Sequence, residues 1–209
     1  MLARKVRPVP SLVVAFAALL TLTGCSDKKA PDTTAPPGFT VAKDDGAGFA
    51  MAVPADWVQI PLLQDIDAFD RQARELQGQN RNLGPAILQA RQLAQSGGKL
   101  MAVSADGKSI INLTVDKSDE KNLTEVATAV RKSLEDNGAT ELSEAQATTG
   151  AGAALRLTFR YPIAGGSDTP TIADEVQYYV LKGGKSYVLT FINPPQGHPE
   201  AVAGSLKIR

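Results

Sequence analysis

The chain of 209 residues has one cysteine, one histidine and one tryptophan, and only 5% of it is aromatic. A lone cysteine has no partner for an intrachain disulfide, so a disulfide-stapled domain is excluded. With one histidine, a zinc site would depend almost wholly on carboxylates. No uninterrupted apolar run approaches the roughly 20 residues that a spanning helix needs. Low aromatic content also disfavours a large lipid cavity. Positive charge in excess is missing too, because Lys+Arg and Asp+Glu stand at 22 each. Arg4, Lys5 and Arg7 precede every acidic residue, and without residues 1–24 the remainder carries a net charge of about −3. A mildly acidic body is unsuited to nucleic acid, whose affinity is built from many Lys/Arg-phosphate contacts. It also implies no basic patch for anionic lipid.

Motifs of the common chemistries fail on specific residues. Gly165-Gly166-Ser167-Asp168 lacks the final glycine of a nucleophile elbow. Gly184-Lys185-Ser186 matches the end of a phosphate loop, but Tyr179 stands where the first glycine belongs and the segment joins two strands. Asp65-Ile66-Asp67-Ala68-Phe69-Asp70 has the rhythm of a calcium loop, yet Asp70 replaces its glycine and Leu76 its bidentate glutamate, so Asp65 reads as a helix cap. His198 lies in Gln196-Gly197-His198-Pro199-Glu200 and reads as the lead-in to a last helix. Catalytic, metal and cofactor sites are therefore not expected.

What is present begins at the N-terminus. Basic Met1 to Arg7 precede the apolar run Leu12 to Leu20, and the pattern ends in Leu22-Thr23-Gly24-Cys25. Nine to eleven apolar residues suit an export signal better than a span. The quartet resembles the bacterial lipobox. That resemblance implies cleavage between Gly24 and Cys25, acylation of the Cys25 thiol, and a protein held by lipid on the extracytoplasmic face of the cell membrane. One acyl chain binds marginally, whereas the two or three that a lipobox cysteine receives hold permanently. Residues 1–24 are thus read as signal peptide. Residues 25–38, with Pro31, Pro36 and Pro37 and no large apolar side chain, read as a lipidated cysteine and flexible linker reaching roughly 40 Å.

Residues 39–209 read as one α+β domain, a mostly antiparallel sheet flanked by helices. Phe49, Met51 and Val53 alternate before Pro54, pairing through the turn Lys43-Asp44-Asp45-Gly46 with a strand near Phe39 to Val41. Period-two runs recur at Ile111–Val115, Leu155–Tyr161 and Tyr187–Phe191. Ile172–Leu181 is joined to the last of these by the hairpin signal Lys182-Gly183-Gly184-Lys185. Leu100–Val103 and Glu141–Ala147 are further strands. Helices are expected from Ile66 to Leu76, onward to about Gln95, from Asn122 to Gly138 with Glu125 completing a capping box, and from Pro199 to Ser205.

The order of these elements, with Phe49-x-Met51-x-Val53-Pro54-x-x-Trp57, resembles the PsbP and Mog fold, an α/β/α sandwich, and within it actinobacterial lipoproteins of the LpqN type. The resemblance implies a docking or assembly factor rather than an enzyme, acting as a monomer on an envelope protein or polymer. Residues 62–98 are longer than a simple cover requires. Their Arg71, Arg74, Arg81 and Arg91 form a candidate surface for an acidic partner. A second reading is a carrier of an apolar small molecule, its pocket lined by Phe49, Met51 and Phe159 between sheet and helices. Trp57 is expected as a core plug.

Overall fold

A computed structural model describes residues 29–163 and 171–209. Its elements are β1 (Phe39–Asp44), β2 (Phe49–Pro54), β3 (Val58–Gln59), α1 (Ile66–Gln79), a 3-10 turn (Arg81–Leu83), α2 (Gly84–Gln95), β4 (Gly98–Val103) and β5 (Ile110–Lys117). There follow α3 (Leu123–Asp136), β6 (Thr140–Thr149), β7 (Gly152–Ile163), β8 (Thr171–Lys182), β9 (Lys185–Ile192), α4 (His198–Ser205) and β10 (Lys207–Ile208). All pairings are antiparallel. Seven strands form a large sheet in the order β3-β4-β5-β9-β8-β7-β6, and β1-β2-β10 form a small one. The α+β class and the mostly antiparallel sheet are as expected from the sequence.

β9 lies at the centre of the large sheet, and its sequence explains the layers around it. Tyr187, Leu189 and Phe191 point to one face and Val188, Thr190 and Ile192 to the other, so both faces need cover. On the first face Leu189 and Phe191 are fully buried with Ile111 and Leu113 against Phe49, Met51 and Val53 of β2. That cover is a second sheet with α4 beside it, rather than helices alone. The small sheet is separate because β2 is already paired by β1 on one side and by β10 on the other. Where the short β10 ends, the Ser205 hydroxyl continues its work, accepting from the Ala52 amide at 2.7 Å while donating to the Val202 carbonyl.

The segment before β1 is not free along its whole length. The Ala30 amide donates to Asp45 Oδ1 (2.7 Å), Thr33 Oγ1 donates to the Ser205 carbonyl (2.6 Å), and Arg209 donates to the Lys29 carbonyl (3.2 Å). Ala30 is buried, and Ala50 and Ala52 on the far side of β2 have no exposure. Of the linker expected over residues 25–38, residues 29–38 therefore form a strap laid on the domain. Composition announced a chain too poor in apolar groups to make a core, and the strap makes none. It is held by hydrogen bonds to groups up to 180 residues away.

The second face of the large sheet carries helices in two groups. Phe69 of α1 and Ala86, Ile87 and Ala90 of α2 pack on Met101, Val103, Ile110 and Ile192. Val126 and Ala127 of α3 pack on Leu155, Leu157, Phe159 and Tyr179. Local chemistry starts the helices as expected. Asp65 caps α1 by accepting from the Ala68 amide at 2.8 Å. Asn122 caps α3 by accepting from the Thr124 and Glu125 amides, and Glu125 reaches back to the Lys121 amide. Gly183 and Gly184, at φ 60° and 71°, make the two-residue β8–β9 hairpin that their sequence signals.

Trp57 is 9% exposed and belongs to the core between the two sheets. Replacing it by Ala leaves a void that the strands cannot close. A urea melt should show Trp57→Ala destabilised by about 3 kcal/mol or more. A loss under about 1 kcal/mol would place the side chain outside the core.

Candidate functional site

The four candidate arginines lie on the α1–α2 cover, but not as one uniform surface. Arg71 and Arg74 are three residues apart on α1 and thus neighbours on one side. Both are exposed, as is Arg81 in the 3-10 turn. Arg91 of α2 is turned instead toward Asp70 of α1 at 3.8 Å, tying the two helices together. The surface around them includes unpaired apolar groups, with Leu88 of α2 69% exposed and Ile66 of α1 50% exposed. Arg71, Arg74 and Arg81 form no ion pair with a described residue. At an exposed site an ion pair adds less than about 1 kcal/mol, so the fold loses little by leaving these arginines without one.

A second arrangement was not visible in the sequence. The helix-facing side of the large sheet has two apolar fields, one under α1–α2 and one under α3, and a polar row runs between them. Asn112 of β5, Thr190 of β9 and Gln177 of β8 stand directly opposite one another in register. Glu175 and Tyr179 flank Gln177 along β8, on the same face. Tyr179 Oη donates to Gln177 Oε1, and Gln177 Nε2 donates weakly to Glu175 Oε2 at 3.5 Å. Asn112, Thr190 and Glu175 are each less than 10% exposed. The Asn112 and Thr190 side chains bond no other described side chain, yet their polar atoms are not sealed from solvent. Water therefore reaches the floor of this seam.

Burial governs the charge of Glu175. Removal from water disfavours its carboxylate, the Gln177 amide only partly offsets this, and the carboxyl is pushed up to about 7. Burial also raises the Tyr179 hydroxyl, and the neighbouring Glu175 charge adds to the effect. The result is a carboxyl that changes charge near neutrality beside an amide and a phenol held neutral. Such a row can bind a polar group or exchange a proton with it. No group of three or more His, Cys, Asp or Glu placed to hold a metal ion stands with it among the described residues.

His198 is the first residue of α4, as the sequence reading placed it. Its ring packs against Phe39 (centroids 5.3 Å apart) and Trp57 (5.9 Å), and its buried Nδ1 has no hydrogen-bond partner. The pocket imagined for an apolar ligand does not form from its expected residues. Phe49 and Met51 are fully buried between the sheets, while Phe159 lies under α3 on the opposite face of the large sheet. A hollow of about 450 Å³ opens elsewhere, where the start of α3 leaves β6 and β7 uncovered beside Leu123, Gln146, Thr148 and Leu155. Gly24 and Cys25 fall outside the described residues, as does the Gly165–Asp168 segment.

The chain is similar to the solution structure of cyanobacterial PsbP (CyanoP) from Synechocystis sp. PCC 6803. The match has 12% identity, a TM-score of 0.48, and covers 86% of this chain and 98% of that one. It is also similar to a crystal structure from Bacteroides thetaiotaomicron, at 14% identity and a TM-score of 0.38, covering 77% of this chain and 45% of that one. No family model matches the chain, and no curated protein matches it. These likenesses concern the fold alone.

The raised Glu175 carboxyl makes stability depend on pH with a definite sign. An unfolded glutamate ionises near 4.5, whereas the folded one holds its proton to about 7. Between those values the unfolded chain binds fewer protons, so stability falls as pH rises and levels off above about 7. In urea melts, the advantage of Glu175→Gln over the parent protein should grow by up to about 3 kcal/mol from pH 4.5 to pH 8. An advantage that does not change with pH would mean that the carboxyl is hydrated in the folded state.

Proposed function

We propose that this protein is a membrane-anchored envelope lipoprotein, of the kind the LpqN-type resemblance implies. In this reading it is held by acylated Cys25 on the extracytoplasmic face of the cell membrane and serves as a noncatalytic binding or assembly factor. The observation that supports the reading most is the succession of sequence features at the N-terminus: basic residues to Arg7, the apolar run Leu12–Leu20, and Leu22-Thr23-Gly24-Cys25. Lys29, four positions after Cys25, is hydrogen-bonded to the domain through Arg209. A domain held this closely to its attachment point works at the membrane surface. The α1–α2 cover is the surface on which the docking reading rests. Its Arg71, Arg74 and Arg81 offer positive charge to an acidic protein segment or anionic envelope polymer, with Leu88 as an apolar contact. The carrier reading keeps one supporting observation, the hollow beside the start of α3.

Fractionation of cells producing the protein tests the anchor. The parent chain should stay with membranes through a high-salt wash, and Cys25→Ser should leave them. A serine variant that remains after the wash would remove the acyl anchor from the account. The docking surface is tested by pull-down from envelope extracts. Arg71→Ser/Arg74→Ser/Arg81→Ser should keep its melting curve within about 0.5 kcal/mol, as exposed substitutions do. The same variant should lose most of the salt-sensitive capture. Unchanged capture at low ionic strength would place docking elsewhere.

A further inference from the structure

The net negative charge of the body conceals a local concentration of positive charge that the topology assembles. Lys182 of β8 lies opposite Lys185 of β9, and Lys185 lies opposite Lys117 of β5. All three share the sandwich-side face of the large sheet with Val180, Tyr187 and Val115, at the edge of the small sheet. Arg209, following β10, joins Lys182, Lys185 and Tyr187 around a recess of about 130 Å³ that also touches Gly48. None of these four cations makes a salt bridge with a described residue. Lys182 Nζ turns to the Ile208 carbonyl at 2.6 Å, which holds it beside Arg209.

Acids stand near this end, but none makes a salt bridge with these four cations. Asp44 and Asp45 in the β1–β2 turn accept the Ala47 and Ala30 amides. Glu120, beyond Lys117, accepts from the Ser118 hydroxyl. Asp116 stands beside Gly97 on the other side of β5, and Asp119 is in the following loop. Like charges directly opposite across strands destabilise a sheet. A row of three lysines in register is thus a cost to the fold that a partner's negative charge would relieve.

We infer that this basic end is a docking surface for the anionic phospholipid headgroups of the membrane to which the chain is tethered. The identification of the occupant rests on the Cys25 anchor proposed above. Four residues of fully extended chain reach at most about 14 Å, so acylated Cys25 lies within that distance of Lys29. Arg209 is hydrogen-bonded to the Lys29 carbonyl. The strap therefore keeps this end close to the bilayer, within a few Debye lengths of headgroup phosphates. The sequence expectation that the body offers no basic patch is corrected. The lysines are up to 68 positions apart in the chain and meet only through strand pairing.

The test is sedimentation with vesicles of phosphatidylglycerol and phosphatidylcholine, compared with phosphatidylcholine alone. The background is the full chain with Cys25→Ser, Arg4→Gln, Lys5→Gln and Arg7→Gln, which removes the acyl chain and the basic leader; binding common to both vesicle types reports the apolar run Leu12–Leu20, and the excess on anionic vesicles reports the domain. This background should bind the anionic vesicles preferentially and release them in high salt. Each basic residue at an anionic surface is worth roughly fivefold in partitioning, so Lys117→Gln/Lys185→Gln/Arg209→Gln should bind on the order of a hundredfold more weakly. Arg71→Gln/Arg74→Gln/Arg81→Gln removes the same charge from α1–α2 and should change binding by no more than about twofold. Lys117→Gln/Lys185→Gln alone should melt at or above the background temperature, since it relieves the like-charge row. Equal binding to both vesicle types, or equal losses in the two triple variants, would overturn the inference. Fractionation of cells bears on Cys25 and the vesicle assay on the patch, so either can fail without the other.

Discussion

The rest of the structure depends on β9 being apolar on both faces. A strand carrying Leu189 and Phe191 on one side and Val188 and Ile192 on the other is stable only between two layers. Every other element serves one of those layers or extends the sheet between them. The two are unequal. On the sandwich side, Phe49, Met51, Ile111, Leu113, Leu189 and Phe191 interlock with no exposure, and each contributes on the order of 2 kcal/mol by leaving water. On the helical side α1 buries one large side chain, Phe69, while α2 and α3 bury chiefly Ala86, Ala90, Ala94, Ile87, Val126 and Ala127. The stability of the domain is therefore concentrated in the sandwich, and the helices are lighter covers.

This inequality frees the helical side for other work. Between its covers the sheet tolerates a wetted polar row ending in a carboxyl near its neutral point, which a sealed core would reject. The outer surface of α1 and α2 tolerates exposed Leu88 and unpaired arginines. The sandwich side has its own exception at the lysine row, where strand register sets like charges side by side. Each departs from what stability alone would choose, and such departures concentrate where a protein meets other molecules.

Local patterns carried most of the fold in advance. Alternation marked β2, β5, β7 and β9, and two glycines marked the β8–β9 hairpin. The side chains of Asp65 and Asn122 marked two helix starts. β3 and β10 escaped notice because strands of two residues hold no period, and they exist only because β4 and β2 present edges to them. Residues 29–38 read as free linker because composition reports the capacity to form a core and is silent on single hydrogen bonds such as Thr33 to Ser205. The candidate arginines were legible as a local surplus of charge, although Arg91 proved to be committed to Asp70. The polar seam was not legible, and of the lysine row only the facing of Lys182 and Lys185 across their hairpin was. Each joins residues tens of positions apart, and only the register of β5, β8 and β9 determines that they meet.

Native-state hydrogen exchange tests the unequal layering most directly. Amides of β5, β9 and β8 should exchange only through global unfolding, with free energies that match denaturant melts and fall together as urea rises. Amides of α1, the 3-10 turn and α2 should exchange through a smaller opening, at least about 2 kcal/mol easier and with a shallower urea dependence, because their contacts with the sheet are few and small. If the α1–α2 amides instead merged with those of β9 at the global value, the helical cover would be an integral part of the core. The division of the domain into a stable sandwich and a lighter helical cover would then be wrong.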